Sequence, residues 1–313
     1  MNTGRTIFSQ VMDYLPLWQF RKCVARYDGE RKVQHFSCLD QLLCMAFAQL
    51  TYRESLRDVE VCLRAMRSKL YHMGIRSHIA RSTLADANET RDWRVHPDFA
   101  QDLIQQARAL YKDLDFGLDL DGTLYALDSS IIELSLTLFP WAPHERSRAA
   151  VKLHTLLDVQ SFIPVFIDIT GAHTSDSHVL DRIIPEPGSF IVMDRGYIDF
   201  PRLYCLHQRS AYFVVRAKHN LQFRRRCSHS IDRSNGVRSD QTIVLSGKYS
   251  FRKFPALLRR VSFYAADIDK RFVFLTNNFQ IPSFNVAAVY RQRWQVELFF
   301  KWIKQHLRIK QFF

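Results

Sequence analysis

The spacing of apolar positions changes character twice along this chain. Over residues 1–115 it is helical: residues 38–49 (CLDQLLCMAFAQ) and 55–66 (SLRDVEVCLRAM) set apolar side chains three and four apart. At 80–88 (ARSTLADAN), Ser82 or Thr83 can cap a helix with Asp86 in its first turn. With Gly74 in the turn upstream, residues 71–88 fit a helix-turn-helix whose second helix starts near Ser82, and they fit an ordinary helical hairpin equally well.

From Gly122 the period shortens. Residues 124–132 (LYALDSSII) predict a strand bearing Asp128. Residues 151–159 (VKLHTLLDV) and 163–170 (IPVFIDIT), joined by a turn at Gln160 and Ser161, predict a β-hairpin. Residues 175–184 fit a helix capped by Ser175. The apolar run 189–193 (SFIVM) suits a strand buried on both faces and leads straight into Asp194. A helix at 200–208 and a strand at 211–217 (AYFVVRA) complete the order β-β-β-α-β-α-β. That order predicts an α/β fold, a mixed sheet flanked by helices.

Residues 218–285 break the alternation. They hold RRRC at 224–227, the turn SNG at 234–236, and short strands at 242–245, 261–265 and 271–275. They predict a basic, all-β insertion. The helical period then returns to the end of the chain. Tyr290, Arg293, Glu297 and Lys304, at spacings of three, four and seven, fall within about 80° on a helical wheel and so share one helix face. Lys301 joins their stripe, while Val296, Phe299 and Ile303 form the opposite, apolar side. The resulting division is a helical domain over 1–115, a core over 116–217, the insertion over 218–285, and a final core helix over 286–313.

Composition adds charge to this picture. The 313 residues are 47% hydrophobic and 24% charged, as in ordinary globular proteins. No run of 18 apolar residues predicts a membrane span, and residues 1–18 lack the pattern of a signal peptide, so a cytoplasmic protein without a membrane partner is expected. The six cysteines form no CxxC pair and suit buried free thiols better than disulfides or zinc. Residues 1–200 carry 22 basic and 26 acidic groups, a net of −4; residues 201–313 carry 22 and 5, a net of +17. So basic a segment favours a polyanion, nucleic acid first, because each neutralised phosphate releases counterions.

Three acids stand at ends of predicted core elements: Asp128, Asp194 and Glu297. Phosphodiester chemistry at neutral pH calls for two divalent ions, one at the attacking and one at the leaving oxygen, and magnesium takes carboxylate ligands. Asp128 could bridge two such ions, with Asp194 and Glu297 each closing one side. Asp121, Asp158 and Asp168 lie equally near strands, and spacing does not exclude them.

In these blocks the chain resembles the DDE transposases of the insertion-sequence four family, the group that includes the Tn-five-like enzymes. ALDSS (126–130) resembles the block around the family's first aspartate, and IVMDRGY (191–197) the block around its second. Tyr290-x2-Arg293-x3-Glu297-x6-Lys304 matches the family's YREK signature at every position. A long β-rich insertion before the glutamate is a further family mark, and 80–88 resembles its end-binding region. The resemblance implies an RNase H-like fold with Asp128, Asp194 and Glu297 as ligands of two divalent cations, Mg²⁺ or Mn²⁺. It implies DNA contacts from Tyr290, Arg293 and Lys304, with Lys301, Arg195 and Trp294 as further candidates. It also implies an N-terminal domain that binds terminal inverted repeats, and a homodimer acting on element ends and target DNA. Family members generally continue through a C-terminal helical region that pairs two subunits, whereas this chain stops nine residues after Lys304. A shortened form that binds DNA ends, or inhibits a full-length enzyme, is therefore the alternative expectation.

Overall fold

The computed structural model describes residues 5–76, 78–111, 120–134, 143–145 and 148–306. Two compact units emerge, one over Met1–Leu110 that also takes in Lys304, the other over Tyr111–Ile303. In the first, the described helices are α1 Ile7–Met12, α2 Leu17–Arg26, α3 Cys38–Leu50, α4 Leu56–Ala65, α5 Arg81–Thr90 and α6 Val95–Leu110. Ser37 starts α3 with a capping box: its hydroxyl accepts from the Asp40 N–H, and Asp40 accepts from the Ser37 N–H. The apolar stripes of α3, α4 and α5 meet around Leu43, Phe47, Leu63 and Leu84. Phe20 and Phe99 pack edge to face at 5.0 Å between α2 and α6.

Two local expectations fail here. Residues 71–73 form a single 3-10 turn, not the first helix of a helix-turn-helix, and Gly74 closes it at φ +80°. Helix α5 starts at Arg81 behind Ala80, with no side-chain cap, so Ser82 and Thr83 lie inside its first turn. Leu84 and Ala87, buried in the core, set where this helix lies, and packing outweighs the cap.

The second unit is built on one sheet. Its strands are β1 Leu124–Leu134, β2 Pro143–Glu145, β3 Arg148–Asp158, β4 Ile163–Gly171, β5 Phe190–Met193, β6 Tyr212–Arg216, β7 Phe223–Ser228, β8 Val237–Leu245, β9 Leu258–Ala265 and β10 Lys270–Thr276. The first five long strands run in the order β4-β3-β1-β5-β6. β3 and β4 form the expected antiparallel hairpin, while β1, β5 and β6 are mutually parallel. This is the RNase H-like arrangement. Tyr125, Leu127, Ile191, Met193, Phe213 and Val215 face one core, closed by helix α7 (Phe200–Gln208) through Leu203 and Leu206. Residues 176–181 form a 3-10 helix without a side-chain cap from Ser175, in place of the expected α-helix. On the other face lies helix α9 (Ser283–Arg291), packed on β5, β6, β8 and β9, and helix α10 (Trp294–His306) follows it in the chain.

The insertion is β-rich, as expected, and its strands extend the core sheet. β10 pairs antiparallel with β6, placing Phe274 opposite Arg216, and β9, β8 and β7 continue the sheet outward. It also holds a short helix, α8 (Lys248–Lys253). The added strands are pinned by a buried ion pair, in which the Arg259 guanidinium donates to both Asp240 oxygens at 2.9 and 2.6 Å and to the Ile281 carbonyl at 2.6 Å. Asp240→Ala should therefore destabilise the protein by about 3–5 kcal/mol, because it strands a buried guanidinium. Urea unfolding would measure this, and a loss below about 1 kcal/mol would mean the pair is not the anchor.

Candidate active site

Parallel register brings the first two acids together. β1 and β5 pair up to Leu127 opposite Met193, whose side chains both face the α7 core. Side chains alternate along strands, so the next residues, Asp128 and Asp194, turn to the opposite face. That is the face of α9. Asp194 accepts from the Gly196 N–H at 2.7 Å, and Asp128 from the Ser129 N–H at 2.8 Å.

The residues from Tyr290 to Lys304 do not lie on one continuous helix. α9 ends at Arg291 and α10 begins at Trp294. Between them the backbone tightens to i→i+3 bonds, Arg293 N–H to Tyr290 O and Gln295 N–H to Gln292 O, at 3.1 and 2.9 Å. Arg293 sits in this turn. Its guanidinium donates to Asp128 Oδ2 at 2.9 Å and, from its other terminal nitrogen, to Glu297 Oε1. Two of the three predicted acids thus meet through one arginine, while the apolar back of α10 buries Val296, Phe299 and Ile303 as expected. The Tyr290 ring packs on Phe274 at 4.7 Å, with Arg293 6.0 Å from its centroid.

Burial pushes the Asp128 carboxyl up to about 6; the Ser129 N–H and Arg293 oppose the rise, while the Asp194 and Glu297 carboxylates add to it. Burial also pushes the Tyr290 hydroxyl up. Asp128 thus feels the other two acids, and Arg293 is the counter-charge that joins it to Glu297. As a donor set, three carboxylates suit a hard divalent cation in chemistry. In this conformation Arg293 engages two of them, and no group of three such side chains among the described residues stands close enough to hold a metal ion.

The remaining candidates neighbour these residues in the chain. Arg195 is exposed in the 3-10 turn after Asp194; Lys301 is exposed and Lys304 half-buried on α10. Trp294 is 57% exposed and so is not core. Asp158 and Asp168 have structural partners: the first accepts from the turn N–H groups of Gln160 and Ser161, the second binds Arg182 at 2.6 Å. Asp121 is exposed in a bend.

Sequence reasoning missed a polar chain behind Asp128. Asp176 accepts from Ser129 Oγ at 2.8 Å and pairs with Lys152 at 3.0 Å, and Lys152 also donates to the Thr174 carbonyl. Thr155, directly across the ladder from Asp128, buries a hydroxyl with no partner among the described residues. The one sequence signal for this chain was Asp176 between two serines, which reads equally as a helix start.

Comparison with known proteins adds the following. Residues 119–312 match the family profile described as Transposase DDE domain, and residues 3–76 match one described as Domain of unknown function (DUF4372). A putative transposase (y4zB) of Sinorhizobium fredii is 34% identical over 193 residues, covering 60% of this chain and 53% of that protein. A probable transposase for insertion sequence element IS5377 of Geobacillus stearothermophilus is 30% identical over 196 residues, covering 61% of this chain and 50% of that protein. The chain spans about half the length of these curated relatives. Among solved structures, the piggyBac transposase synaptic complex with hairpin DNA is similar at a TM-score of 0.45 and 12% identity, covering 98% of this chain and 70% of that one.

Proposed function

The chain belongs to the transposase DDE domain family, and from that premise we propose that it catalyses metal-dependent cut-and-paste transposition of an insertion sequence. The reaction begins with hydrolysis to a 3′-hydroxyl at the element's end. That hydroxyl attacks the opposite strand to form a hairpin, which is opened before strand transfer into target DNA. The observation that supports this best is the convergence of Asp128 and Glu297 on Arg293, with Asp194 beside Asp128 on the same sheet face.

Asp128, Asp194 and Glu297 are the residues that would hold two divalent cations, Mg²⁺ or Mn²⁺. Those ions would supply Lewis acidity toward the phosphodiester and lower the pKa of an attacking water. Arg293 keeps two of the carboxylates oriented and neutralised until then. Tyr290, braced on Phe274, and the cations Lys301, Lys304 and Arg195 contact DNA phosphates, with Trp294 available to stack on a base. The N-terminal helical unit recognises the terminal inverted repeats. Cutting two ends calls for a homodimer, working in the cytoplasm at the nucleoid.

The test is a cleavage reaction on a DNA fragment carrying the sequences that flank the gene. Nicks ending in a 3′-hydroxyl at the element's ends, formed with Mg²⁺ or Mn²⁺ and stopped by chelation, are expected. Tight binding to those ends with no cleavage in either metal would overturn the catalytic reading and leave an end-binding protein.

A further inference from the structure

A second concave site lies at the carboxyl end of β6, next to Asp194. Arg195, Arg216, Lys218, His219, Arg260 and Arg271 line it, against an apolar wall that includes Phe223, and no carboxylate faces it. Four arginines elsewhere in this unit pair with acids: Arg182 with Asp168, Arg202 with Asp181, Arg259 with Asp240, Arg293 with Asp128. Among the described residues, none of the pocket's five Lys and Arg side chains has such a partner.

Neutral groups orient them instead. Arg260 donates to Gln241 at 3.2 Å and lies 5.0 Å from the Phe223 ring centroid, and Arg271 donates to Ser262 at 2.8 Å. Arg216 lies 5.1 Å from the Phe272 ring centroid. Arg260 is half-buried, and burial together with the nearby Arg271 pushes its guanidinium down. Like charges gathered in a partly desolvated site repel unless an anion joins them, and guanidinium forks match phosphate oxygens. The carboxyl ends of parallel strands are also where ligands commonly bind in open α/β sheets.

We propose that this pocket is a phosphate site that grips one backbone phosphate of a DNA strand running past Asp194. The proposal rests on the DNA-acting reading above. It assigns to the inserted strands β9 and β10 the task of fixing where the strand lies, through residues that touch none of the three acids.

The test compares the wild-type chain with Arg260→Gln, Arg271→Gln and the double variant. Equilibrium binding to a short duplex of arbitrary sequence is measured across a salt series. Because one phosphate is shared, each single variant and the double variant should lower the slope of log K against log salt by about 1. A slope that falls by about 1 for each single variant and about 2 for the double would mean separate surface contacts, and would overturn the pocket. Arg225→Gln, on exposed β7, removes the same charge outside the site. An equal effect from it would reduce the proposal to net charge and sink it.

Sodium pyrophosphate, at constant ionic strength, supplies a readout independent of DNA. It should raise the unfolding temperature of the wild type and not that of the double variant, and equal shifts in both would overturn the site. Unchanged slopes in a wild type that does bind duplex would reject this pocket alone. A wild type that binds no duplex would reject the DNA-acting reading as well.

Discussion

Asp128→Asn is expected to abolish strand cleavage, by at least about 10³-fold, while leaving DNA binding largely intact. On the proposed reading it removes a cation ligand and no phosphate contact. The same change should make the metal-free protein more stable at neutral pH. The folded-state carboxyl sits at about 6 because it is buried, against about 4 in an unfolded chain. An acid whose folded pKa is raised adds no penalty below its unfolded value; the penalty grows between pH 4 and 6 and is complete above 6. Asparagine removes it. Allowing for the partial exposure of the site and a weaker bond from Arg293, the gain at pH 7 is on the order of 1 kcal/mol. Urea unfolding at pH 4 and at pH 7 would measure it. A variant less stable than wild type at pH 7 would show that the Arg293 bond outweighs the burial of the charge.

Arg293→Ala should act in the opposite direction. It leaves the Asp128 and Glu297 carboxylates facing each other without the guanidinium that now joins them. Removing one member of a buried pair costs about 3–5 kcal/mol, and the exposure of Glu297 places this case at the lower end, about 3 kcal/mol. The distinguishing feature is rescue. With the guanidinium gone, Mg²⁺ has no competitor for the two carboxylates, so it should raise the unfolding temperature of the variant more than that of the wild type. Thermal unfolding with Mg²⁺ and with a chelator gives both numbers. Equal shifts in the two proteins would mean that Arg293 and the cation do not share a site.

How much of this was legible in the sequence depends on the range of the interaction involved. β1, β5 and α10 were readable because burial leaves a period: four fully buried residues in β5, and Val296, Phe299 and Ile303 along one helix side. Asp128 and Asp194 could be picked out because each stands where such a run ends. The turn that aims Arg293 at them left no trace, since Gln292 and Arg293 are neither glycine nor proline and the helical period runs on through them. The wheel placed Arg293 among groups facing DNA, whereas its nearest partners are acids. Asp176 was hidden for a different reason: its partners, Ser129 and Lys152, lie 47 and 24 residues away in the chain, and only strand pairing brings them near. The insertion's union with the core depends likewise on a long-range pairing, β10 on β6, which no local pattern encodes.

That union bears on how this gene can drift. An insertion that hangs from a core as a separate module can be trimmed, lengthened or lost with little effect on the rest. Here its last strand covers β6, whose Phe213, Val214 and Val215 are wholly buried. A deletion that removed residues 218–276 would turn a central strand into an edge, exposing unpaired backbone ready to join another chain. The core and the inserted half therefore stand or fall together, and changes of length are best borne by the turns between the outer strands.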